Sequence, residues 1–337
     1  MSDVECTIIV PCRNEARAIR AFLDDLLAQD PSGGPREIIV ADGQSDDGTR
    51  DLLREYAARH PELRVIDNPE RITPTGLNRA IRAARGDFIV RMDVHTRYAP
   101  DYVKACLEVK RRTGAMNVGG AARTQATGWL PGAIAAAYAS SFAVGGARFH
   151  FPDYRGEVDT VTYGCWTRAD LLELGLFDET LVRNQDDELN LRIRRAGGRI
   201  WQDPSIRSWY SPRGSLRALF RQYFQYGFWK VAVIRKHALP ASWRHLVPVT
   251  LVGSLLLLAL AAPWWEQAGW LLALELAFYL LFVLAGSLSI AARRGWRYWP
   301  ALPAVLACFH FAYGTGFLFG LLRRRRGGGA LVSGLTR

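Results

Sequence analysis

The most informative stretch of this sequence is Asp87-Phe88-Ile89-Val90-Arg91-Met92-Asp93-Val94-His95. Its first six residues are typical of a short buried strand, so the triplet Asp93-Val94-His95 lies where that strand ends. Residues two apart on an extended backbone project to the same side, which brings a carboxylate and an imidazole together. Such a pair can hold a divalent ion between the protein and a diphosphate. An isolated Asp-x-His is more often a turn aspartate beside a surface histidine, and the surrounding sequence separates the two interpretations.

A parallel α/β pattern leads up to this stretch. Predicted strands alternate with predicted helices in the order Thr7–Val10, Glu15–Gln29, Glu37–Ala41, Gly48–His60, Leu63–Ile66, Thr75–Ala84. In such sheets ligands collect at the carboxyl ends of the strands, so the loops Pro11–Glu15, Asp42–Thr49 and Asp93–His95 are expected to converge. That convergence favours a ligand site. No Gly-x-Gly-x-x-Gly follows the first strand, which argues against a dinucleotide cofactor.

The pattern changes after the triplet. The sequence predicts a helix at Tyr102–Arg112, strands at Asn117–Ala121 and Asp159–Trp166, a helix at Thr167–Leu174, and a mobile small-residue segment at Gly128–Gly146. A further helix begins with Gln185-Asp186-Asp187-Glu188. Acids in the first turn suit the helix dipole. Helix capping explains one of these acids, but not three in a row in a chain with a candidate diphosphate site.

Apolar residues are concentrated in the last third of the 337-residue chain. Three apolar runs occur, at Leu246–Ala262, Ala268–Ile290 and Pro300–Leu322. Crossing the hydrocarbon takes roughly 20 residues, so the second and third are long enough, while the first is marginal and has a buried core helix as its alternative. The net charge of +11 comes mostly from arginines that flank these runs. This favours anionic lipid headgroups over nucleic acid, because no basic patch in the first half is interleaved with stacking aromatics.

The N-terminal half is expected in the cytoplasm. No secretory signal opens the sequence, and the cysteines show no paired or metal-binding spacing. Between the halves, Arg217–Lys236 mixes aromatics with basic residues, which favours a helix in the membrane interface beside the active-site mouth, with core packing as the alternative. We therefore predict an α/β domain at 1–212, an amphipathic interfacial helix at 213–244, membrane segments at 246–262, 268–290 and 300–322, and a basic, glycine-rich tail at 323–337.

The charges that follow the third membrane segment conflict with a full crossing. Such a crossing would place Arg323–Arg326 outside, against the positive-inside tendency. Gly314, Gly316 and Gly320 make this segment the most breakable of the three, so a re-entrant turn is the alternative. Together these features predict a multi-pass protein of the bacterial inner membrane.

Several motifs together resemble inverting family 2 glycosyltransferases with the GT-A fold, a Rossmann-like α/β fold that binds nucleotide sugars. They are the Pro-x-x-Asn-Glu opening at Pro11–Glu15, the Asp-rich turn at Asp42–Thr49, the triplet Asp93–His95 and the acidic helix start at Gln185–Glu188. Further segments, Asn68–Arg71, Pro74–Asn78, Asn184–Asn190 and Arg235–His237, are similar to the ExoA type of succinoglycan and related exopolysaccharide assembly. The resemblance covers about residues 5–230.

The resemblance implies roles for individual residues. Asp93 and His95 would bind Mg²⁺ or Mn²⁺ on the diphosphate, and Asp186 would be the general base. Nucleotide-sugar binding would fall to Pro11, Arg13, Glu15, Asp42, Arg71, Asn78 and Asp93, with Asp42 and Glu15 on the base and ribose. The acceptor side would comprise Trp166, Asp187, Glu188, Arg221, Gln225 and Trp229.

Two departures from the family pattern matter. Gln185 stands where the family usually has Glu, so Asp187 or Glu188 could share the role of base. Phe228 replaces the Arg of the Gln-x-x-Arg-Trp motif of processive members, which argues against processive synthesis.

The resemblance implies a membrane-anchored enzyme that moves one sugar from a nucleotide sugar, with UDP-hexose expected, to a polyprenyl-diphosphate-linked saccharide. The resulting glycan would be an exopolysaccharide or another surface polymer. One alternative is a polyprenyl-phosphate glycosyl synthase. Another is a catalytically inactive membrane scaffold of a polysaccharide assembly complex, against which the intact Asp42, Asp93, His95 and Asp186 argue. Membrane lipids are the expected surroundings, and the sequence leaves the oligomeric state open.

Overall fold

The structure is a computed structural model that describes residues 4–121, 123–238 and 242–323. The chain divides into two compact units. The first, which we call the α/β unit, comprises residues 1–123 and 148–211, and the second, the helical unit, comprises residues 124–147 and 212–337. The predicted continuous domain 1–212 therefore differs from the structure, in which residues 124–147 belong to the helical unit.

The strands are β1 (Cys6–Cys12), β2 (Arg36–Asp42), β3 (Leu63–Asp67), β4 (Phe88–Arg91), β5 (Thr96–Tyr98), β6 (Asn117–Gly120), β7 (Arg123–Thr124), β8 (Gly156–Glu157), β9 (Thr162–Thr167), β10 (Ile200–Gln202) and β11 (Ser208–Tyr210). The α-helices are α1 (Ile19–Leu27), α2 (Thr49–Arg59), α3 (Thr73–Ala83), α4 (Tyr102–Thr113), α5 (Trp129–Tyr138), α6 (Ser141–Val144), α7 (Arg168–Glu173), α8 (Gln185–Arg195), α9 (Leu216–His237), α10 (Val247–Ala261), α11 (Glu266–Arg294) and α12 (Leu302–Leu322).

The α/β unit is built on a mixed sheet. Within the described residues this sheet has eight strands, in the order β3-β2-β1-β4-β9-β6-β10-β8. Strands β3, β2, β1 and β4 run parallel, and β9 pairs antiparallel with both β4 and β6. Two apolar clusters, one including Ile8 and Val90 and the other Ile9 and Ile89, occupy opposite faces, as the two-residue period of a strand requires. The predicted α/β fold is confirmed.

Because β1, β2 and β4 are parallel, their carboxyl ends lie at one edge of the sheet. Cys12 at the end of β1 is in register with Asp42 at the end of β2, and Met92 donates its backbone N–H to the carbonyl of Ile9 at 3.1 Å. The strand-end loops predicted to converge therefore share this edge. They are also bonded to each other: the backbone N–H groups of Asn14 and Glu15 donate to Ser45 Oγ at 2.8 Å and Thr49 Oγ1 at 2.7 Å. Those bonds hold the segment before α1, so the helix begins at Ile19 rather than at the predicted Glu15.

In the helical unit, the segment predicted to be mobile forms α5 and α6 instead. Ala133, Ile134 and Ala137 are fully buried and pack in one cluster with residues of α11 and α12. A Cβ at Gly132 would lie 2.6 Å from Tyr298 Oη. The small residues that suggested mobility therefore allow close helix packing.

Three helices among the described residues are long and apolar enough to cross a membrane: Trp243–Ala261, Glu266–Arg294 and Leu302–Leu322. The first two are 17% buried over their most apolar window and expose large apolar side chains such as Leu257, Trp270 and Phe278. The third is 50% buried. It is a continuous helix, so the alternative of a re-entrant turn within it does not hold for this structure. Arg324–Arg326 and the rest of the tail lie outside the described residues.

Helices α9 and α12 pack side by side along their lengths. A Cβ at Gly227 would lie 2.1 Å from the carbonyl oxygen of Tyr313, and one at Gly316 would lie 2.1 Å from that of Phe224. Glycines let two backbones approach closely. Contacts advance together along both helices, from Cys308 Sγ on the Leu216 carbonyl to Arg235, which donates to the Leu321 carbonyl at 2.7 Å. The two helices are therefore parallel, and we call their contact the glycine seam.

Candidate active site

The first strand-end loops enclose a buried carboxylate. Asp42 is fully buried, and its Oδ1 accepts a hydrogen bond from Ser45 Oγ at 2.6 Å. Arg50 lies 3.9 Å from its other oxygen. Beside it, the side chain of Arg13 lies against Gly43, where a Cβ would be 3.1 Å from the side chain's Cβ. Arg13 Nε is buried and has no hydrogen-bond partner among the described residues, which leaves a donor for a ligand.

A buried guanidinium joins the predicted metal ligand to the predicted base. Arg91 Nε and Nη2 donate to the two oxygens of Asp93, each at 2.8 Å. Its Nη1 donates to Asp186 Oδ1 at 2.5 Å. Asp186 lies in the first turn of α8, 95 residues away from Arg91. The structure therefore brings Asp93 and Asp186 together on one arginine.

Burial and charge act against each other in this cluster. Partial removal from water raises the pKa of Asp186, although its side chain stays 37% exposed, and the nearby Arg91 charge, which favours the ionised form, offsets this only in part. Burial alone would lower the pKa of Arg91, but the Asp186 and Asp93 carboxylates outweigh it and raise that pKa. Arg91 is consequently a permanent cation, and Asp186 is a more basic carboxylate than usual.

The imidazole of the triplet has a different partner. His95 Nε2 lies 2.7 Å from Glu15 Oε1 at the end of the first loop. Histidines that bind metals commonly donate their other ring N–H to a carboxylate. Glu15 is therefore in a position to orient His95, in addition to the nucleotide contact that the resemblance implies.

Asp93 and His95, the predicted metal ligands, both remain accessible to solvent in this structure. The described residues contain no group of three His, Cys, Asp or Glu side chains able to hold a metal by themselves. Magnesium is often held by one or two carboxylates and completed by substrate phosphates and water. Asp93 is partly exposed and His95 is 68% exposed, so both can reach a ligand. The donor set fits an ion that is shared with a diphosphate.

Three predicted site residues have structural roles instead, and the first two are Asn78 and Trp166. Asn78 is buried, donates to the Phe177 carbonyl and Glu179 Oε1, both at 2.8 Å, and accepts from the Phe177 N–H at 2.9 Å, so it fixes the loop before α8. Trp166 is 1% exposed and packs edge-on against Phe177. Both side chains are therefore enclosed by the protein.

Glu188 is the third such residue. It is fully buried and accepts two bonds from Arg192 Nε, each at 3.0 Å, and one from Nη2 at 2.7 Å. The same arginine donates to the backbone carbonyls of Leu174 and Leu176. This network anchors α8, so Glu188 is not an alternative base in this structure. Asp187 is partly exposed.

The remaining predicted residues divide between the two units. Pro11 is the penultimate residue of β1, and exposed Arg71 donates from Nε to Gln44 Oε1 at 2.8 Å, next to the Asp42 loop. In the helical unit, Arg221 is exposed and Gln225 is buried on α9. Gln225 Nε2 and Trp229 Nε1 are buried without a hydrogen-bond partner among the described residues.

Sequence reasoning missed Arg91 and Tyr98. Tyr98 Oη accepts the Asp93 N–H at 2.7 Å, and so fixes the backbone of the triplet. A signal for Arg91 was present, because residues two apart on a strand share a face and Arg91 precedes Asp93 by two. Tyr98 carries no such signal, since β5 is a strand of only three residues.

Comparison with known protein sequences adds three findings. The profile of glycosyl transferase family 2 matches residues 7–168. The succinoglycan biosynthesis protein ExoA of Rhizobium meliloti (strain 1021) is 30% identical over 335 residues, which is 97% of this chain and 98% of the relative. A dolichyl N-acetyl-alpha-D-glucosaminyl phosphate 3-beta-D-2,3-diacetamido-2,3-dideoxy-beta-D-glucuronosyltransferase of Methanococcus voltae is 26% identical over 94% of this chain and 97% of its own length.

Among solved structures, the mannosyltransferase PcManGT from Pyrobaculum calidifontis, in complex with GDP-Man and Mn²⁺, is similar in fold. It superimposes with a TM-score of 0.59 and 24% identity, over 93% of this chain and 90% of that chain.

Proposed function

Because this chain belongs to glycosyltransferase family 2, we propose that it moves one sugar from a nucleotide sugar, a UDP-hexose, to a polyprenyl-diphosphate-linked saccharide, with inversion. The observation that carries the proposal is the cluster in which Asp93 and Asp186 share the buried Arg91. Asp93 would face the donor diphosphate, and Asp186 the acceptor hydroxyl. The name of the Rhizobium relative supports a product in exopolysaccharide or another surface glycan.

Asp186 is the proposed general base. Its Oδ1 accepts from Arg91, which leaves Oδ2 to receive the proton of the acceptor hydroxyl. The raised pKa makes it a better proton acceptor than an ordinary aspartate. A carboxylate positioned in this way contributes typically ~10²–10⁴-fold to rate. Because a single base acts on the face opposite the leaving group, an α-linked donor gives a β-linked product.

Asp93 and His95 are the proposed ligands of Mg²⁺ or Mn²⁺. Their exposure and chemistry fit an ion shared with a diphosphate, and the fold neighbour that was solved with Mn²⁺ and GDP-Man supports the use of a divalent ion. When bound, the ion would neutralise the leaving diphosphate as a Lewis acid, worth several kcal/mol. Arg91 and Glu15 would keep the two ligands in place. Asp42 and Arg13 would bind the nucleoside and phosphates from the neighbouring loops, with Arg71 beside them.

We place the catalytic side in the cytoplasm, with α10 and α11 as a hairpin across the membrane. Helix α12 is proposed to stay on the cytoplasmic side with α9. The reason is the glycine seam: α9 carries the exposed cations Arg217, Arg221, Arg235 and Lys236. Since Arg235 bonds to the last turn of α12, a full crossing by α12 would carry these charges into or across the bilayer. Charged side chains in the hydrocarbon are costly.

Sugar transfer from radiolabelled nucleotide sugars tests the function directly. The purified full chain in lipid nanodiscs would be given UDP-, GDP- and dTDP-hexoses with a polyprenyl-diphosphate disaccharide as acceptor. We expect label in the lipid fraction with a UDP-hexose. Absence of transfer from every donor to every lipid-linked acceptor, by a protein that binds UDP, would contradict the proposal.

The second candidate is synthesis of a polyprenyl-monophosphate sugar. The name of the Methanococcus relative supports a monophosphate carrier, because its acceptor is a sugar on dolichyl phosphate. Assays with bare polyprenyl phosphate and with the polyprenyl-diphosphate disaccharide separate the two. Label on the bare monophosphate alone would establish the second function.

A further inference from the structure

Arg91 is buried behind two acids that remain accessible. Its side chain is 5% exposed, whereas those of Asp93 and Asp186 are 30% and 37% exposed. It is the last residue of β4, so its backbone is fixed by the sheet. The two carboxylates come from different parts of the fold, one from the end of β4 and one from the start of α8. A single rigid group thus links the strand to the helix.

This cluster differs from the structural ion pairs of the α/β unit in which partner is buried, the acid or the arginine. In the Glu37–Arg85 pair the acid is 1% exposed and the arginine 61%. In the Glu188–Arg192 pair the acid is fully buried and the arginine is 18% exposed. Those arginines cover an acid inside the protein. Around Arg91 the arginine is the buried partner and the two acids are the more exposed ones. The acids therefore face outward and are held from inside by the guanidinium.

The geometry of the guanidinium group is suited to holding two carboxylates at once. Its donors lie in one plane, and three of them are used on three carboxylate oxygens. A lysine offers a single charged group and lacks this fork, the planar, forked arrangement of N–H donors. Each carboxylate oxygen has two lone pairs, so bonds from Arg91 leave acceptor capacity on both acids for ligands. The positive charge also offsets the repulsion between two neighbouring carboxylates.

We propose that Arg91 is a positioning residue that holds Asp93 and Asp186 at a fixed separation, so that donor diphosphate and acceptor hydroxyl meet in line. This inference rests on the proposed function, in which those acids serve donor and acceptor. A displacement of about 1 Å at a reacting group can cost ~10²-fold in rate. Arg91 would act on the reaction through both acids without touching substrate.

The test uses Arg91→Gln and Arg91→Lys in the full-length protein, with Arg54→Gln as the matched control, because Arg54 is an exposed arginine of α2. We expect Arg91→Gln to lower kcat by ~10²-fold. Binding of Mn²⁺ in the presence of UDP, followed by the electron paramagnetic resonance of free Mn²⁺, should weaken by ~10-fold. Arg54→Gln should change neither quantity.

A double-mutant cycle shows whether Arg91 acts through the base. In an Asp186→Asn background, Arg91→Gln should lower kcat by clearly less than the ~10²-fold expected in the wild type, because the part that acts through the base is already lost and only the part that acts through Asp93 remains. A full further ~10²-fold loss would mean independent roles and would overturn the proposal. So would a folded Arg91→Gln variant with unchanged kcat and Mn²⁺ binding.

The lysine variant keeps the proposal testable if glutamine prevents folding. Arg91→Lys retains the charge but loses the fork, and we expect Mn²⁺ binding close to that of the wild type with kcat still lowered by ~10-fold or more. If Arg91→Lys has the same kcat as the wild type, the proposal that the planar guanidinium positions the two acids is wrong. If the wild-type protein itself transfers no sugar, the proposed function fails. If wild type and both variants transfer equally, only the role of Arg91 fails.

Discussion

The two units place polar and apolar groups in opposite ways. In the α/β unit the large apolar side chains are inside, and two acids face outward from a buried arginine. In the helical unit α10 and α11 expose leucine, phenylalanine and tryptophan side chains. There, close contact is made by glycines against backbone carbonyls. Water favours the burial of apolar surface, which accounts for the α/β unit, and the apolar exteriors of α10 and α11 fit their proposed place in lipid. The glycines of the seam allow the backbones of α9 and α12 to approach closely because they carry no side chain. Variants in each unit should therefore fail in different ways.

The largest effect is expected at Asp93. Asp93→Ala removes the proposed metal ligand and one partner of Arg91, so turnover should be abolished while the helical unit stays folded. His95→Asp should retain some activity, because it supplies another oxygen ligand. Transfer assays with and without excess EDTA check the metal. Full activity of the purified enzyme in EDTA would contradict metal dependence.

A smaller loss is expected for the base. Asp186→Asn keeps the shape and can still accept from Arg91, so kcat should fall by ~10²-fold or more with donor affinity little changed. Because burial raises the pKa of Asp186, the acid limb of wild-type kcat should lie above pH 3.8, with activity lost as pH falls through it. Steady-state kinetics measure both effects, with exposed Asp51→Asn as the control. A greater loss in Asp187→Asn would reassign the base.

The helical unit is tested first by its topology. Leu322→Cys, in a Cys308→Ser background, should react with an impermeant maleimide only from the cytoplasmic side. Leu322 is 82% exposed, and the cysteines other than Cys308 are buried. Trp296→Cys and Trp264→Cys mark the two ends of α11. If Leu322→Cys is labelled from the same side of the membrane as Trp264→Cys, α12 crosses the bilayer.

The smallest effect is expected at the glycine seam. Gly227→Ala puts a Cβ 2.1 Å from the Tyr313 carbonyl and should separate α9 from α12, at a cost of about 1–3 kcal/mol. Thermal unfolding in detergent would detect this as a lower Tm. Gly253→Ala on α10 is the matched control, because nothing lies within 4 Å of its Cβ position. If the two variants have the same Tm, the close contact between α9 and α12 at Gly227 does not contribute to stability.

Much of the fold was predictable because the signals are local. Short runs of apolar and β-branched residues marked β1, β2 and β4, and a helical period marked α2, α3 and α8 to within a few residues. Asp42, Asp93 and Asp186 could be proposed from sequence because strand ends and helix starts are where ligand-binding polar residues collect. The same local reasoning was wrong for Asn78, Trp166 and Glu188. Polar, aromatic and acidic side chains near a site look alike in sequence, whether they face a ligand or the core.

The sequence by itself determined the strand-end motifs, the acidic start of α8 and the apolar segments, since each depends on residues close together in the chain. Only the tertiary structure decided that Arg91 joins Asp93 to Asp186, that residues 124–147 pack with the C-terminal helices, and that the glycines of α12 form a seam rather than a break. These outcomes depend on which backbone approaches which across many residues. Which side chain is buried, and which backbones touch, depends on how distant segments pack together. The periodicity of residues within one segment does not contain that information.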